Sequence, residues 1–425
     1  MCDTRHVAAF AALLGSMLIA VAPAAAESLR SVTVGPSEVD RLYEEILVEG
    51  TDVYLEKGTY KITQLLPLAA NVRLIGVNTY IDADGDGVWD PRPQTAAAFA
   101  DPLNETIIDC DGLPQGATAI MCASGNEVRG LTVRSLTALP GPRPHLIGAT
   151  SDGSAVRGGG LNYAVRDVIC DGGQLGISNA HNGSVFADFD STVEIERCVT
   201  RNARGGGIFF ANAFASGARW NGLVRHNRSY ANNLGLALNS AGLESDHGEV
   251  AVVSSGNIFE GNVFAGVLIQ GAWSPGGTGN PSENRTHWSS HGDAFWNNNS
   301  PAFFGGGIFV TGASPGTNNH VRLNVIGGRF VKRDAQGNPD GPQNQFQGAR
   351  RDVWLVGGTG PLASGNRVVA LARDSSSDGA DGAFMATSGV NVSNEVTVIG
   401  SDVAFTHAND DVDLPPGGFF GGGDE

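Results

Sequence analysis

Gly176-Ile177-Ser178, Gly207-Ile208-Phe209, Gly235-Leu236-Ala237, Gly266-Val267-Leu268 and Gly307-Ile308-Phe309 are five copies of one local pattern. The glycines recur at intervals of 31, 28, 31 and 41, and an apolar residue follows each. An Asn-rich stretch precedes most copies, at Asn202, Asn232-Asn233, Asn262 and Asn297-Asn298-Asn299. Before it comes another short apolar strand: Val193-Glu194-Ile195, Leu223-Val224, Ile258-Phe259 and Ala294-Phe295-Trp296. Each repeat reads as strand, tight turn, strand and variable loop, with an insertion around Pro275–Asn284 in the longest interval. A period of this size marks stacked units, none of which can bury its apolar face alone. Gly and Asn clusters break any 3.6-residue stripe, which disfavours helical repeats. Short strands joined by turn residues predict a parallel β-solenoid. Asn suits the turns because it tolerates φ > 0 and bonds its own backbone. The reading places Ile177, Ile208, Leu236, Val267 and Ile308 in one buried ladder.

The pattern extends both ways, to Val128–Val133 upstream and to Val321–Ile326, Val353–Val356, Val368–Leu371 and Val396–Ile399 downstream. Near the N-terminus, Val39–Ile46 precedes Asp52–Tyr60, which ends in Gly58-Thr59-Tyr60, and Asn71–Gly76 follows. These segments resemble the start of pectin-lyase-like right-handed parallel β-helix proteins, over about residues 32–410. The resemblance implies a short amphipathic helix at Val39–Ile46 capping an open core. The expected fold is therefore all-β: a single-domain right-handed parallel β-helix of about ten coils with a short N-terminal capping helix. The superfamily includes lyases, hydrolases, epimerases, adhesins and inert surface proteins, so the fold implies no single reaction.

Composition narrows the partners. Gly is 60 of 425 residues, about twice the usual ~7%. Formal charge is −17, which opposes nucleic-acid binding and docking on anionic lipid. Arg5 is followed by an apolar run from Val7 to Ala22 and by Ala24-Ala25-Ala26. That is the pattern of a secretory signal, so residues 1–26 are read as a signal peptide. Residues 27–412 form the β-helix domain, and 413–425 a disordered Gly-rich tail. The chain is expected to be exported, periplasmic or extracellular, without a membrane span, and a monomer. Cys110, Cys122, Cys170 and Cys198 remain after cleavage, an even number that permits two disulfides. Cys110–Cys122 is the favoured pair; Cys170 and Cys198 suit either a bridge or stacked buried thiols.

Three constellations carry chemistry. Asp82-Ala83-Asp84-Gly85-Asp86-Gly87-Val88-Trp89-Asp90 sets Asp82, Asp84, Asp86 and Asp90 as ligands for a structural Ca²⁺, with Gly87 allowing the sharp turn. Pro93 stands where an EF-hand has its closing Glu. The loops after successive second strands carry Trp220, Trp273 and Trp288, whose rings suit stacking on sugars. They also carry Asp190, Asp246 and His247 as candidate acid/base residues. Arg225 is a candidate clamp for a uronate carboxylate, and equally a partner for Glu194 or Glu196 in the adjacent coil. The motif sets of polygalacturonase-type hydrolases, of one large pectate lyase family and of alginate epimerases are absent. The outward strand positions two after each repeat Gly, Ser178, Phe209, Ala237, Leu268 and Phe309, form no acidic ladder. Two functions follow as expectations. One is a polysaccharide- or cell-surface-glycan-binding or -processing protein (as an enzyme, a lyase or glycoside hydrolase). The other is a non-catalytic structural or cell-surface β-helix.

Overall fold

The structure, a computed structural model, describes residues 30–78 and 105–407, except 115, 137–143, 152–160, 182–189, 213–215, 240–245, 273–279, 301–304, 314–315, 333, 335, 337, 339–342, 347, 359–361, 378–382, 388–392 and 402. Three parallel sheets of twelve, eight and eleven strands make up the stack, here sheets 1, 2 and 3 in the order the chain visits them; sheet 2 runs from Gly58–Lys61 to Ala294–Trp296. One coil takes Asp190–Glu196 in sheet 1, Val199–Arg201 in sheet 2 and Gly206–Asn212 in sheet 3. The next repeats it with Arg219–Arg225, Arg228–Tyr230 and Leu234–Asn239. The fold is a right-handed parallel β-helix. At its N-terminal end the helix Val39–Glu45 buries Leu42, and Ile46 is buried just beyond it.

Coils up to the strand Gly306–Thr311 have three strands, where the sequence pattern shows two; from His320–Ile326 onward sheet 2 has no strand among the described residues. The short sheet 2 strand lies hidden in what reads as turn, so Val193–Ile195 and Leu223-Val224 belong to sheet 1 while Ile258-Phe259 and Ala294–Trp296 belong to sheet 2. The glycine ladder is in sheet 3. Ile177, Ile208, Leu236, Val267 and Ile308 pair in direct register and are each fully buried. Their preceding glycines are required by close approach. A Cβ on Gly235 would lie 2.4 Å from the carbonyl oxygen of Gly266, and one on Gly266 2.7 Å from that of Gly307. The residues after this ladder, Ala237, Leu268, Phe309 and Trp354, form a second buried apolar cluster.

The corners follow a common rule. Between sheets 1 and 2 the chain turns through Asp167, Arg197, His226, Gly256 and Gly292 in successive coils, all with φ between 52° and 68°. The residue after this left-handed one points inward, and in later coils it is Asn227, Asn257 and Asp293. Asn232, Asn262, Asn298 and Asn344 make a second such ladder. The Asn232 N–H donates to Asn262 Oδ1 at 3.1 Å, Asn262 to Asn298 Oδ1 at 3.1 Å, and Asn298 to Asn344 Oδ1 at 3.3 Å. A third runs Asn284, Asn319, Asn366 and Asn394. Each buried amide thereby satisfies backbone groups that no strand ladder reaches at a corner. Asn at the left-handed position is the minority use, as at Asn202 and Asn297.

The core holds no disulfide among the described residues. Cys110, Cys122, Cys170 and Cys198 are all free and buried, which corrects the Cys110–Cys122 expectation. Burial pushes the Cys122 and Cys198 thiols up to about 12, so they pack as small apolar groups. No helix among the described residues is long and apolar enough to cross a membrane.

Candidate functional site

From Asp190–Glu196 onward the long strands of sheet 1 alternate, with inward residues buried and outward ones partly or fully exposed. The first outward residue of each follows a corner, and parallel register stacks these residues into a column. The column reads Asp190, Arg219, Glu249, Arg285, His320, Arg367 and Glu395. In-register parallel pairing sets its members ~4.8 Å apart. Beside it lies the corner itself, where His247, Glu283, Asn318 and Gly365 take left-handed backbone. Between corner and column runs a cleft of about 360 Å³, lined by Arg219, His247, Glu249, Glu283, Arg285, Asn318 and His320.

The cleft is mixed in charge. Arg219 pairs with Glu249 at 3.6 Å, and His247 Nδ1 stands 3.3 Å from Glu283 Oε2. Arg285 has no ion pair among the described residues. Burial and the neighbouring Arg285 and Arg367 hold His320 below the usual imidazole range. His287, in the next outward column, is lowered first by burial, and Glu249 opposes the shift while Arg322, Arg285 and His320 reinforce it. Two neutral imidazoles among arginines can exchange hydrogen bonds with hydroxyl groups, and the guanidinium of Arg285 can accept an anion bidentately.

The residues expected from sequence fall in different places. Asp190 is exposed at the head of the column, in register with Arg219. His247 lines the cleft. Asp246 holds the corner instead: its Oδ1 accepts from the Ser282 N–H and Ser282 Oγ, both at 2.8 Å, and its own N–H donates to Ser216 Oγ. Trp220 and Trp288 do not lie on loops. Both are inward residues of sheet 1 strands, 0% and 1% exposed. The Trp220 indole N–H donates to the Ala211 carbonyl, and that of Trp288 to Ser254 Oγ at 2.9 Å. Their rings are closed to any sugar, which corrects the stacking expectation. Trp273 lies outside the described residues. Arg225 pairs with Glu194 and, at 3.7 Å, with Glu196. Asp82, Asp84, Asp86 and Asp90 lie outside the described residues, as do 1–26 and 413–425. Among the described residues no group of three or more His, Cys, Asp or Glu is placed to hold a metal ion.

Arg285, His320 and Arg367 were not expected, although the sequence holds a signal for them. Asn284-Arg285, Asn319-His320, Asn366-Arg367 and Asn394-Glu395 each couple an inward ladder Asn to an outward polar residue at the head of a strand.

No protein-family model matches the chain, and no curated protein does. Solved structures do. The Dettilon tailspike protein matches at 13% identity and a TM-score of 0.40, covering 86% of this chain and 68% of that one. The mannuronan C-5 epimerase AlgE6 A-module of Azotobacter vinelandii matches at 13% identity and 0.35, covering 88% and 94%. The catalytic domain of a GH87 alpha-1,3-glucanase matches at 11% identity and 0.33, covering 89% and 68%. At such identities the likeness concerns the fold alone, and it is the three parallel sheets that make this chain a parallel β-helix.

Proposed function

We propose that the protein is an exported β-helix that binds or processes an extended polysaccharide along the outer face of sheet 1, with the Arg219–His320 cleft as its centre. The observation that carries this reading is the column itself: polar and cationic side chains repeated at ~4.8 Å, a step comparable to one sugar of an extended chain. A linear polymer repeats its hydroxyls and acids in the same way, so one chain meets several coils. The reading includes cleavage of residues 1–26, a monomeric state, and a structural Ca²⁺ on Asp82, Asp84, Asp86 and Asp90. That Ca²⁺ should raise the melting temperature, and Asp84→Ala should remove the rise.

A structural, non-catalytic role is the second reading. It is favoured by Asp246, whose carboxylate anchors a turn rather than facing Asp190 across a cleft. Calorimetric titration with neutral and acidic oligosaccharides, alongside assays for new reducing ends and unsaturated products, separates the two. Binding that is lost in His320→Ala supports the cleft. No binding to any oligosaccharide sinks the glycan reading. Intrinsic fluorescence is a poor reporter here, because Trp220 and Trp288 are buried.

A further inference from the structure

We infer that the polymer on this face carries an acidic group on every second sugar, and that Arg219, Arg285 and Arg367 read that alternation. The inference rests on the glycan reading above and narrows its ligand. These arginines occupy alternate places in the column. Asp190 precedes Arg219, Glu249 separates Arg219 from Arg285, His320 separates Arg285 from Arg367, and Glu395 follows Arg367. Arginines thus recur every two strand spacings, ~9.6 Å, while the single step matches one sugar.

The intervening places reject anions. An acid lying over Glu249 meets a like charge within a few ångströms, a repulsion that a partly exposed site does not screen away. At His320 the imidazole is neutral and offers hydrogen bonds suited to hydroxyls. Over the arginines a carboxylate or sulfate gains a bidentate, charge-assisted contact. The guanidinium groups are accessible for it. Arg219 and Arg367 are 56% and 48% exposed, and their pairs with Glu249 and Glu395, at 3.6 and 3.4 Å, are surface pairs of little worth that a ligand acid can replace. A polymer with an acid on every sugar meets Glu249 and also the field of a chain of net charge −17. A neutral polymer leaves all three arginines unused.

The test titrates the full-length protein with length-matched oligosaccharides at about 0.1 M salt, where exposed charges still interact over ~10 Å. Hyaluronate and unsulfated chondroitin carry one carboxylate per disaccharide, oligogalacturonate one per sugar, and cello-oligosaccharide none. The expected result is that one or both alternating polymers bind about tenfold more tightly than the other two, the worth of a single charge-assisted contact. Arg285→Gln should lose that advantage, Glu249→Gln should improve oligogalacturonate binding, and Arg225→Gln should change neither. Oligogalacturonate bound as tightly as both alternating polymers overturns the inference, as does a Glu249→Gln variant with no gain for it. Preferred binding of the neutral polymer overturns the alternation and leaves the glycan reading standing. Binding of none of the four overturns both.

Discussion

Sheet 1 carries Arg and Glu at outward positions in two stretches that behave differently. Toward the C-terminal ends of the strands the charges close on one another. Arg166 pairs with Glu127 at 2.9 Å, with Glu194, and with Glu196 at 3.7 Å; Arg225 shares Glu194 and Glu196; Arg197 pairs with Asp167 at 2.7 Å and with Glu196 at 3.0 Å. At the N-terminal ends the column from Arg219 to Arg367 has two end pairs, and between them Arg285 has no ion pair among the described residues. The difference lies in the neighbouring columns. Arg166 and Arg225 have acids beside them and diagonally across, whereas the column next to Arg285 holds Asn221, Ala251, His287 and Arg322. Arg and Glu therefore give a self-satisfied surface in one place and a receptive one in the other, according to what the neighbouring columns hold.

The sharpest test of that division uses a single strand, Arg285–His291, which holds Arg285 outward and Trp288 inward. Trp288 stacks edge-on against Phe295 at 6.1 Å and sits between Val252 and Leu323 of the adjoining coils. Trp288→Ala should cost about 3–5 kcal/mol, the range for a large aromatic lost from a packed core. Arg285→Ala should stay within about 0.5 kcal/mol of wild type. Denaturant midpoints measure both. A Trp288→Ala variant as stable as wild type would mean the ring is not part of the core.

That pair of residues also shows what could be read in the sequence. The glycine repeat was legible because Gly176, Gly235, Gly266 and Gly307 are forced by a carbonyl oxygen one coil away, and Gly207 by the Ser229 and Thr200 hydroxyls, constraints independent of loop length. The cap at Val39–Glu45 was legible from the resemblance of this segment to the start of pectin-lyase-like β-helix proteins. The facing of Trp220 and Trp288 was not. The sheet 2 strands, such as Val199–Arg201, are too short to show a period, so the residues of sheet 1 were assigned to loops and their alternation was missed. The column was hidden for a related reason. Its members are separated by loops of different lengths, and in sequence the mark of their shared register is the buried Asn before Arg285, His320 and Arg367.

A smaller effect separates the two stretches by stability. Arg166 stands among three glutamates with 24% of its side chain exposed, so Arg166→Ala removes the centre of a network and leaves like charges adjacent. The expected loss is about 1 kcal/mol, the upper end for partly exposed pairs, against no measurable loss for Arg285→Ala. The gap should narrow as salt rises toward 1 M, where the screening length falls to ~3 Å. An Arg285→Ala loss equal to that of Arg166→Ala would show that the column is held together as the network is.

The smallest effect lies in the pH dependence of the stretch around Arg285. Burial lowers His287 and His320 below the unfolded value of 6.5. Below that value the unfolded chain binds protons that the folded chain still refuses. Stability from these groups is complete above pH 6.5 and is lost as pH falls through the interval down to the depressed folded values. His145, also lowered by burial, contributes with the same sign, and Asp293 and Asp352, raised by burial, with the opposite one. All three are shared by wild type and variant, so the difference between proteins isolates the cleft. Around His287 stand Glu249, which favours the imidazolium, and Arg285, Arg322 and His320, which oppose it. Melting temperatures from pH 7.5 to 5 should therefore fall more steeply for wild type than for His287→Gln with His320→Gln. A bound acidic oligosaccharide brings negative charge to the imidazoles and should flatten the wild-type curve. Parallel curves for wild type and the double variant would show that these histidines do not sense the charges of the column.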